Sequence, residues 1–425
     1  MTVGKSVILG AVLFGLMGSC GAAAQSFGDW LEQGRPVIDL RARYEAVDDK
    51  SKNLFAVAPT LRMRLGYESA SWRGLGVAFD FDEVVDLASA AYNSTRNGKT
   101  AYPTVGDPQM LALNRLQISY AAGFGTKIVV GRQRLQLGDQ RFIGNSAWRQ
   151  HEQTFDAVTL VNTSLENLIL TYSYVDRVNR VFGPDDPNPA TGPAGHFGSD
   201  SHLFNAVYSG LPGLKLEAYA YLLKLDQQGP ASAKLATSKL STATYGARAE
   251  YRAALADGLS GQFDGAFAHQ TDFAGNPLSL SLDYWLAEGS LFYKGLTGLV
   301  GYESMGGNGA IGFSTPLASL HPFDGWADMF LTTPVNGIDD FYLKGGYTIP
   351  GFLEMKSLAA TLAYHDFTTD RTHVGIGSEW DASLELAVDR HTSFLVGAAA
   401  YSGAGIGLGG FADKTITWLQ AAYNY

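Results

Sequence analysis

The sequence predicts an all-β fold, a single transmembrane antiparallel β-barrel of about 18 strands with short periplasmic turns and long extracellular loops. Three observations predict it. Apolar and polar residues alternate with period two almost everywhere after residue 35, which is the pattern of a sheet with two unlike faces. The alternating runs are about 10 to 15 residues long, against about 5 to 6 for ordinary strands, and that length crosses a bilayer at a tilt. Tight turns also alternate with long polar segments, as in outer-membrane barrels.

Taken in order, residues 1–24 read as a signal peptide. Lys5 supplies the positive start, Val7 to Met17 the apolar run, and Ala22-Ala23-Ala24 a small-residue cleavage site before Gln25. Met17-Gly18-Ser19-Cys20 is an imperfect lipoprotein box, so processing at Cys20 is the alternative. Cleavage after Ala24 leaves residues 25–425 as one barrel domain without cysteine, and hence without disulfide or thiol chemistry.

Alternating runs start near residues 36, 55, 74, 111, 126, 153, 166, 201, 213, 240, 258, 281, 296, 340, 356, 374, 391 and 412. The first sets Ile38, Leu40, Ala42 and Tyr44 against Asp39, Arg41, Arg43 and Glu45. The second sets Leu61, Met63 and Leu65 against Arg62 and Arg64. Ser71-Trp72-Arg73-Gly74, Ala122-Gly123-Phe124-Gly125, Leu211-Pro212-Gly213 and Lys294-Gly295-Leu296 read as tight turns. The long loops fall near 87–110, 138–152, 181–200, 226–238 and 304–339. An even strand count puts both termini on the periplasmic side; about 16 strands is the alternative count. Tyr425, Tyr423, Ala421 and Leu419 form an alternating face that ends in an aromatic residue. It is similar to the signal read by the barrel-assembly machinery, which is therefore an expected partner.

Composition fits this reading. There are 50 Gly, 23 Phe and 21 Tyr but only 15 Pro, a strand-and-turn vocabulary. The net charge of -10 argues against nucleic acid as a partner. The histidines lack ligand spacing and no Gly-x-Ser-x-Gly elbow occurs, so no metal, cofactor or enzymatic reaction is expected.

A cation facing lipid at the midplane costs about 2 to 4 kcal/mol. The strand arginines are therefore expected to face the lumen. Arg41, Arg43, Arg62, Arg64, Arg115, Arg132 and Arg134 would form one basic wall, with Asp80 and Asp82 among them. Glu379, Asp381, Glu385 and Asp389, with Asp264 and Asp283, would make an acidic wall. Arg141 and Arg149 lie in a loop rich in polar and aromatic groups, with Asn145, Trp148, Gln150 and His151, that is positioned to fold inward and narrow the pore. Two roles remain open for the arginines: guiding anionic solutes through bidentate contacts, or pairing with carboxylates across strands to hold the barrel's shape. Trp148 and Trp326 either stack on sugar rings or pack the loops against the barrel mouth.

Three segments carry a family resemblance. They are Gly131 to Asn145 continuing through Trp148-Arg149-Gln150 to Gln153-Thr154-Phe155-Asp156; Phe81-Asp82-Glu83-Val84 with Tyr92 to Thr95 and Tyr102-Pro103; and His321 to Asp328 with Thr333-Pro334 and Gly337-Ile338. Together they resemble the alginate-export family of outer-membrane porins. The resemblance implies one monomeric barrel of about 18 strands in the cell outer membrane, surrounded by lipid and lipopolysaccharide. It also implies passage of small anionic or carbohydrate-type solutes. The alternatives are a dedicated exporter of an alginate-like polysaccharide, or a plugged barrel serving as anchor, adhesin or surface enzyme.

Overall fold

The computed structural model describes residues 26–184, 194–226, 237–404 and 411–425. The expected signal peptide lies outside these residues. A short helix, α1 (Phe27–Glu32), comes first, capped by the reciprocal hydrogen bonds of Ser26 and Asp29. Eighteen long strands follow among the described residues: β1 (Arg35–Asp49), β2 (Ala56–Glu68), β3 (Leu75–Asp86), β4 (Met110–Gly123), β5 (Thr126–Gln133), β6 (Thr154–Asn162), β7 (Leu168–Asn179), β8 (His196–Leu211) and β9 (Leu214–Leu222), then β11 (Thr242–Ala256), β12 (Leu259–Asp272), β13 (Ser281–Tyr293), β14 (Leu296–Met305), β15 (Ile338–Pro350), β16 (Ser357–Thr368), β17 (Gly375–Ala387), β18 (Thr392–Gly403) and β19 (Lys414–Asn424). The two-residue β10 (Leu225–Asp226) pairs only with the start of β8.

Each long strand runs antiparallel to its sequence neighbour, and β9 pairs directly with β11. The sheet closes where β1 meets β19, with Asp39 opposite Asn424 and Asp49 opposite Lys414. Closure leaves no open edge, so the expectation of a closed barrel of 18 strands is borne out. Strand starts agree with the alternation to within a few residues. The largest difference is β8, which begins at His196 rather than near 201. After His196 and Phe197, the four residues Gly198 to Ser201 are polar or lack a side chain. They extend the ladder where β10 pairs with it, so alternation does not reveal them.

The exterior is apolar. Leu65, Phe81, Leu116, Ile118, Val130, Phe263, Trp285, Val300, Leu343, Leu362, Trp380, Leu384, Val396 and Leu419 are all exposed. Their cross-strand partners and i±2 neighbours lie on the same face. In β4 an extra residue, Asn114, faces the single step between Asp80 and Phe81. This bulge keeps Leu111 and Leu113 outward on one side of it and Leu116 and Ile118 outward on the other, while Asn114 and Arg115 both point inward. The short turns need left-handed glycines. At Gly213 (φ 74°) an added Cβ would sit 2.3 Å from the Arg252 carbonyl oxygen. No helix among the described residues is long and apolar enough to cross a membrane; the strands do the crossing.

Candidate functional site

The segment joining β5 to β6, residues 134–153, does not stay at the rim. It crosses the lumen and is bonded on both sides. Gly138, with φ 59°, passes so close to the Glu217 carboxylate that a Cβ would lie 2.9 Å from it. Leu135, Leu137 and Ile143 are buried with Phe155, Val175, Val178, Leu203 and Leu317. Phe142 inserts among Tyr219, Tyr284 and Phe313, with ring centroids 5.5, 5.2 and 5.9 Å away. That knob fixes the segment to the β9–β13 wall.

On the opposite wall Gln150 is the anchor. It is fully buried. Its backbone N–H donates to Asp107 (2.7 Å) and its side-chain amide to Thr60 Oγ1 (2.8 Å) and the Arg41 carbonyl (3.3 Å). It accepts from Arg41 Nε at its Oε1 (2.9 Å) and from Arg62 at its carbonyl (3.4 Å).

The segment joining β14 to β15, residues 306–337, comes from across the barrel and meets the first. Gly144 N–H donates to the Leu317 carbonyl (2.8 Å) and Ser319 N–H to that of Gln140 (3.0 Å). The Gln153 amide spans the Gly144 and Leu317 carbonyls (2.9 and 3.0 Å). Arg149 pairs with Asp328 (2.6 Å), and Arg141 binds Asp324 (2.7 Å) together with Glu303 of β14 (2.6 Å). The two segments thus make one bridge across the lumen.

The predicted arginines occupy these places. Arg64 forms a fork with Asp82 (2.6 and 2.8 Å) and reaches Glu152 (2.8 Å). Arg134 shares Glu152 (2.6 Å), and Arg115 joins Asp80 (2.5 Å) to Glu68 (2.9 Å). Arg62 pairs with Asp39. His151 bonds to Asp82 (2.9 Å). Two arginines depart from this pattern. Arg41 has no carboxylate partner among the described residues; it grips the carbonyls of Ala147 (2.9 Å) and Arg149. Arg43 is held by Gln420 (2.7 Å), lies 4.0 Å from Glu45 and sits 4.1 Å over the Trp148 ring.

Arg132 corrects the sequence expectation. It stands opposite Leu116 and Asp156, on the face that carries exposed Val130 and Val158, and so points outward at the outer end of β5. Asp156 neutralises it there (2.7 and 3.0 Å). Alternation alone assigned the wrong face because Arg132 lies near the strand end, where a neutralised cation is tolerated outside the apolar band.

The other half of the lumen is acidic. Asp264, Glu303, Asp340, Glu379 and Asp381 are buried inward residues. Glu379 and Asp381 accept backbone N–H groups of Ala327 (2.6 Å) and Trp326 (3.3 Å) and so hold the second segment against β17. In the loops, burial alone would raise the Glu152 carboxyl, but Arg134 and Arg64 overcome it and hold it well below its ordinary value. Burial also opposes ionisation of Asp328, yet His321 and Arg149 keep it lowered. For Asp324 burial wins over Arg141, and its carboxyl is raised. No group of three or more potential ligands among the described residues forms a metal site.

Above the bridge lies a cavity of about 470 Å³, lined by Glu45, Lys52, Trp148, Arg149, His321, Asp328 and Lys414 among others. Trp148 stacks on His321 at 4.0 Å, with Arg43 also packed against its ring and Trp418 at its edge. Trp326 packs against the buried apolar cluster. Both tryptophans therefore pack the loops. Alternation could not single out Gln150 and Phe142, since neither lies on a strand. The density of polar and aromatic groups around them was the available signal.

The fold and the charged, bridged lumen define an outer-membrane-type transmembrane β-barrel. Residues 37–168 match the family model described as alginate export. That range contains the first two segments of family resemblance; the third, from His321 to Ile338, lies beyond it. No curated protein matches the chain. Among solved structures, Pseudomonas aeruginosa OpdK with vanillate is similar over 93% of this chain and 99% of that one, at 16% identity and a TM-score of 0.70. Pseudomonas aeruginosa OpdL covers the same shares at 18% identity and a TM-score of 0.66. Pseudomonas aeruginosa OpdQ covers 94% and 99% at 15% identity and a TM-score of 0.67.

Proposed function

We propose that the protein is an outer-membrane channel passing small anionic or carbohydrate-type solutes, acting as a monomer and catalysing no reaction. The observation that carries this reading is the cavity at the outer mouth, opening onto a bridge and a polar lumen inside an apolar barrel. Anions are favoured by Lys52 and Lys414 at the cavity and, from within the bridge, by buried Arg41, which has no carboxylate partner among the described residues. Most other arginines are spent on ion pairs, so selectivity rests on few charges, as pores allow. OpdK was crystallised with vanillate, a small carboxylate, and a solute of that size and charge suits the cavity. Vectorial export of a polymer is disfavoured, because a bonded bridge obstructs a threading chain.

Planar-bilayer recording under a salt gradient tests the channel. Anion-selective reversal potentials are expected; cation preference overturns the anion assignment. Liposome swelling with sugars of graded size separates an open channel from a plugged barrel, which admits none.

A further inference from the structure

Helix α1 and the β2–β3 turn together build an aromatic cluster that solute passage does not use. Phe27, Trp30 and Trp72 meet with ring centroids 5.2, 5.7 and 6.1 Å apart. The helix is fixed to the barrel: Ala70 N–H donates to the Trp30 carbonyl (3.3 Å), and the Tyr67 hydroxyl to that of Leu31. Tyr67 stands opposite Phe79 in the ladder and touches its ring at 6.3 Å. Phe79 in turn touches exposed Phe81 at 6.4 Å. The helix therefore lies on the lipid side of the wall, at the end where the short turns gather.

Phe27 and Leu31 remain 56% and 50% exposed, an unusual state for large apolar groups with water as the only neighbour. Arg73, exposed at the turn, lies 5.3 Å over the Trp72 ring. Aromatic rings with a polar edge favour the level of lipid headgroups, and a guanidinium pairs with phosphate oxygens.

We infer that α1 with Trp72 and Arg73 is an interfacial anchor, seated at the headgroup–acyl boundary of the inner leaflet. Phe27 and Leu31 enter the acyl edge, the tryptophans lie at headgroup level, and Arg73 meets a lipid phosphate. The occupant is lipid because the cluster continues, through Tyr67 and Phe79, the surface that already faces acyl chains.

The test uses the full chain in phospholipid vesicles with chains brominated near the carbonyl end, in a W285F/W380F background. That background removes two exposed, lipid-facing tryptophans. Bromolipid is expected to remove up to about two-fifths of the remaining emission, since Trp30 and Trp72 are two of the five tryptophans left. Adding W30F/W72F should abolish the effect, and either single change should halve it. Heat-modifiable migration on gels shows that each variant is a closed barrel. Quenching of these residues by aqueous iodide rather than bromolipid overturns the anchor, as does bromolipid quenching that survives W30F/W72F.

Discussion

Gln150 makes five hydrogen bonds while fully buried. Gln150→Ala keeps the backbone bonds to Asp107 and Arg62 but leaves Arg41 Nε, the Arg41 carbonyl and the Thr60 hydroxyl short of partners, each loss costing about 1 kcal/mol or more. The first segment should loosen from the β1–β2 wall, and single-channel conductance should rise with the barrel intact; unchanged conductance would show that the bridge does not limit flow. Arg141→Ala strands Glu303 and Asp324 as buried carboxylates. It should lower stability by about 3 to 5 kcal/mol, measured by chemical unfolding in detergent. Proton binding at the bridge has a definite sign. Glu152 and Asp328 are held below their ordinary values of 4.5 and 3.8. Their contribution is full above those values and disappears as pH falls through the lowered folded ones. Asp324, raised by burial, works the opposite way and is relieved by protonation. The Glu152 and Asp328 contacts should therefore persist as pH falls from 7 and be lost only below their ordinary values, so a conductance change above those values belongs to Asp324. Asp328→Asn should already show the altered conductance at neutral pH.

At the scale of the strand, face decides cost. Leu116 points outward near the middle of β4 and Gln117 inward. Leu116→Arg should destabilise the barrel by about 2 to 4 kcal/mol in a bilayer, whereas Gln117→Arg should cost about 1 kcal/mol or less. Equal costs would mean that β4 has been assigned the wrong phase. The bulge at Asn114 explains how Asn114 and Arg115, adjacent in sequence, both reach Asp80 (2.7 and 2.5 Å). Strict alternation sends neighbours to opposite faces, so this juxtaposition was illegible without the partner strand. Arg132 teaches the complementary lesson: a charge at a strand end takes its face from register, and here register put it beside Asp156.

At the scale of the whole molecule, closure depends on the β1–β19 ladder, which joins residues 39–49 to 414–424. Deleting residues 414–425 should leave two open edges and abolish heat-modifiable migration. A truncated chain that still migrated as a closed barrel would show that β18 can replace β19 against β1. Closure also brings together segments that are distant in sequence. Arg141 reaches Asp324, and Arg149 reaches Asp328, because the wall carries β5–β6 opposite β14–β15.

The sequence by itself determined the barrel, its strand count, the alternation of short and long connections, and which face most side chains take. Those properties follow from local period and run length, which need no partner. It also pointed to an inward loop around residues 138–152, through its crowd of polar and aromatic groups. Only the tertiary structure decided that two loops join into a bridge, that most lumen arginines are neutralised while Arg41 is held by an amide and backbone carbonyls, and that Arg132 turns outward. Charge pairing depends on register and on chain segments more than a hundred residues apart, and neither is encoded in the period of any single strand.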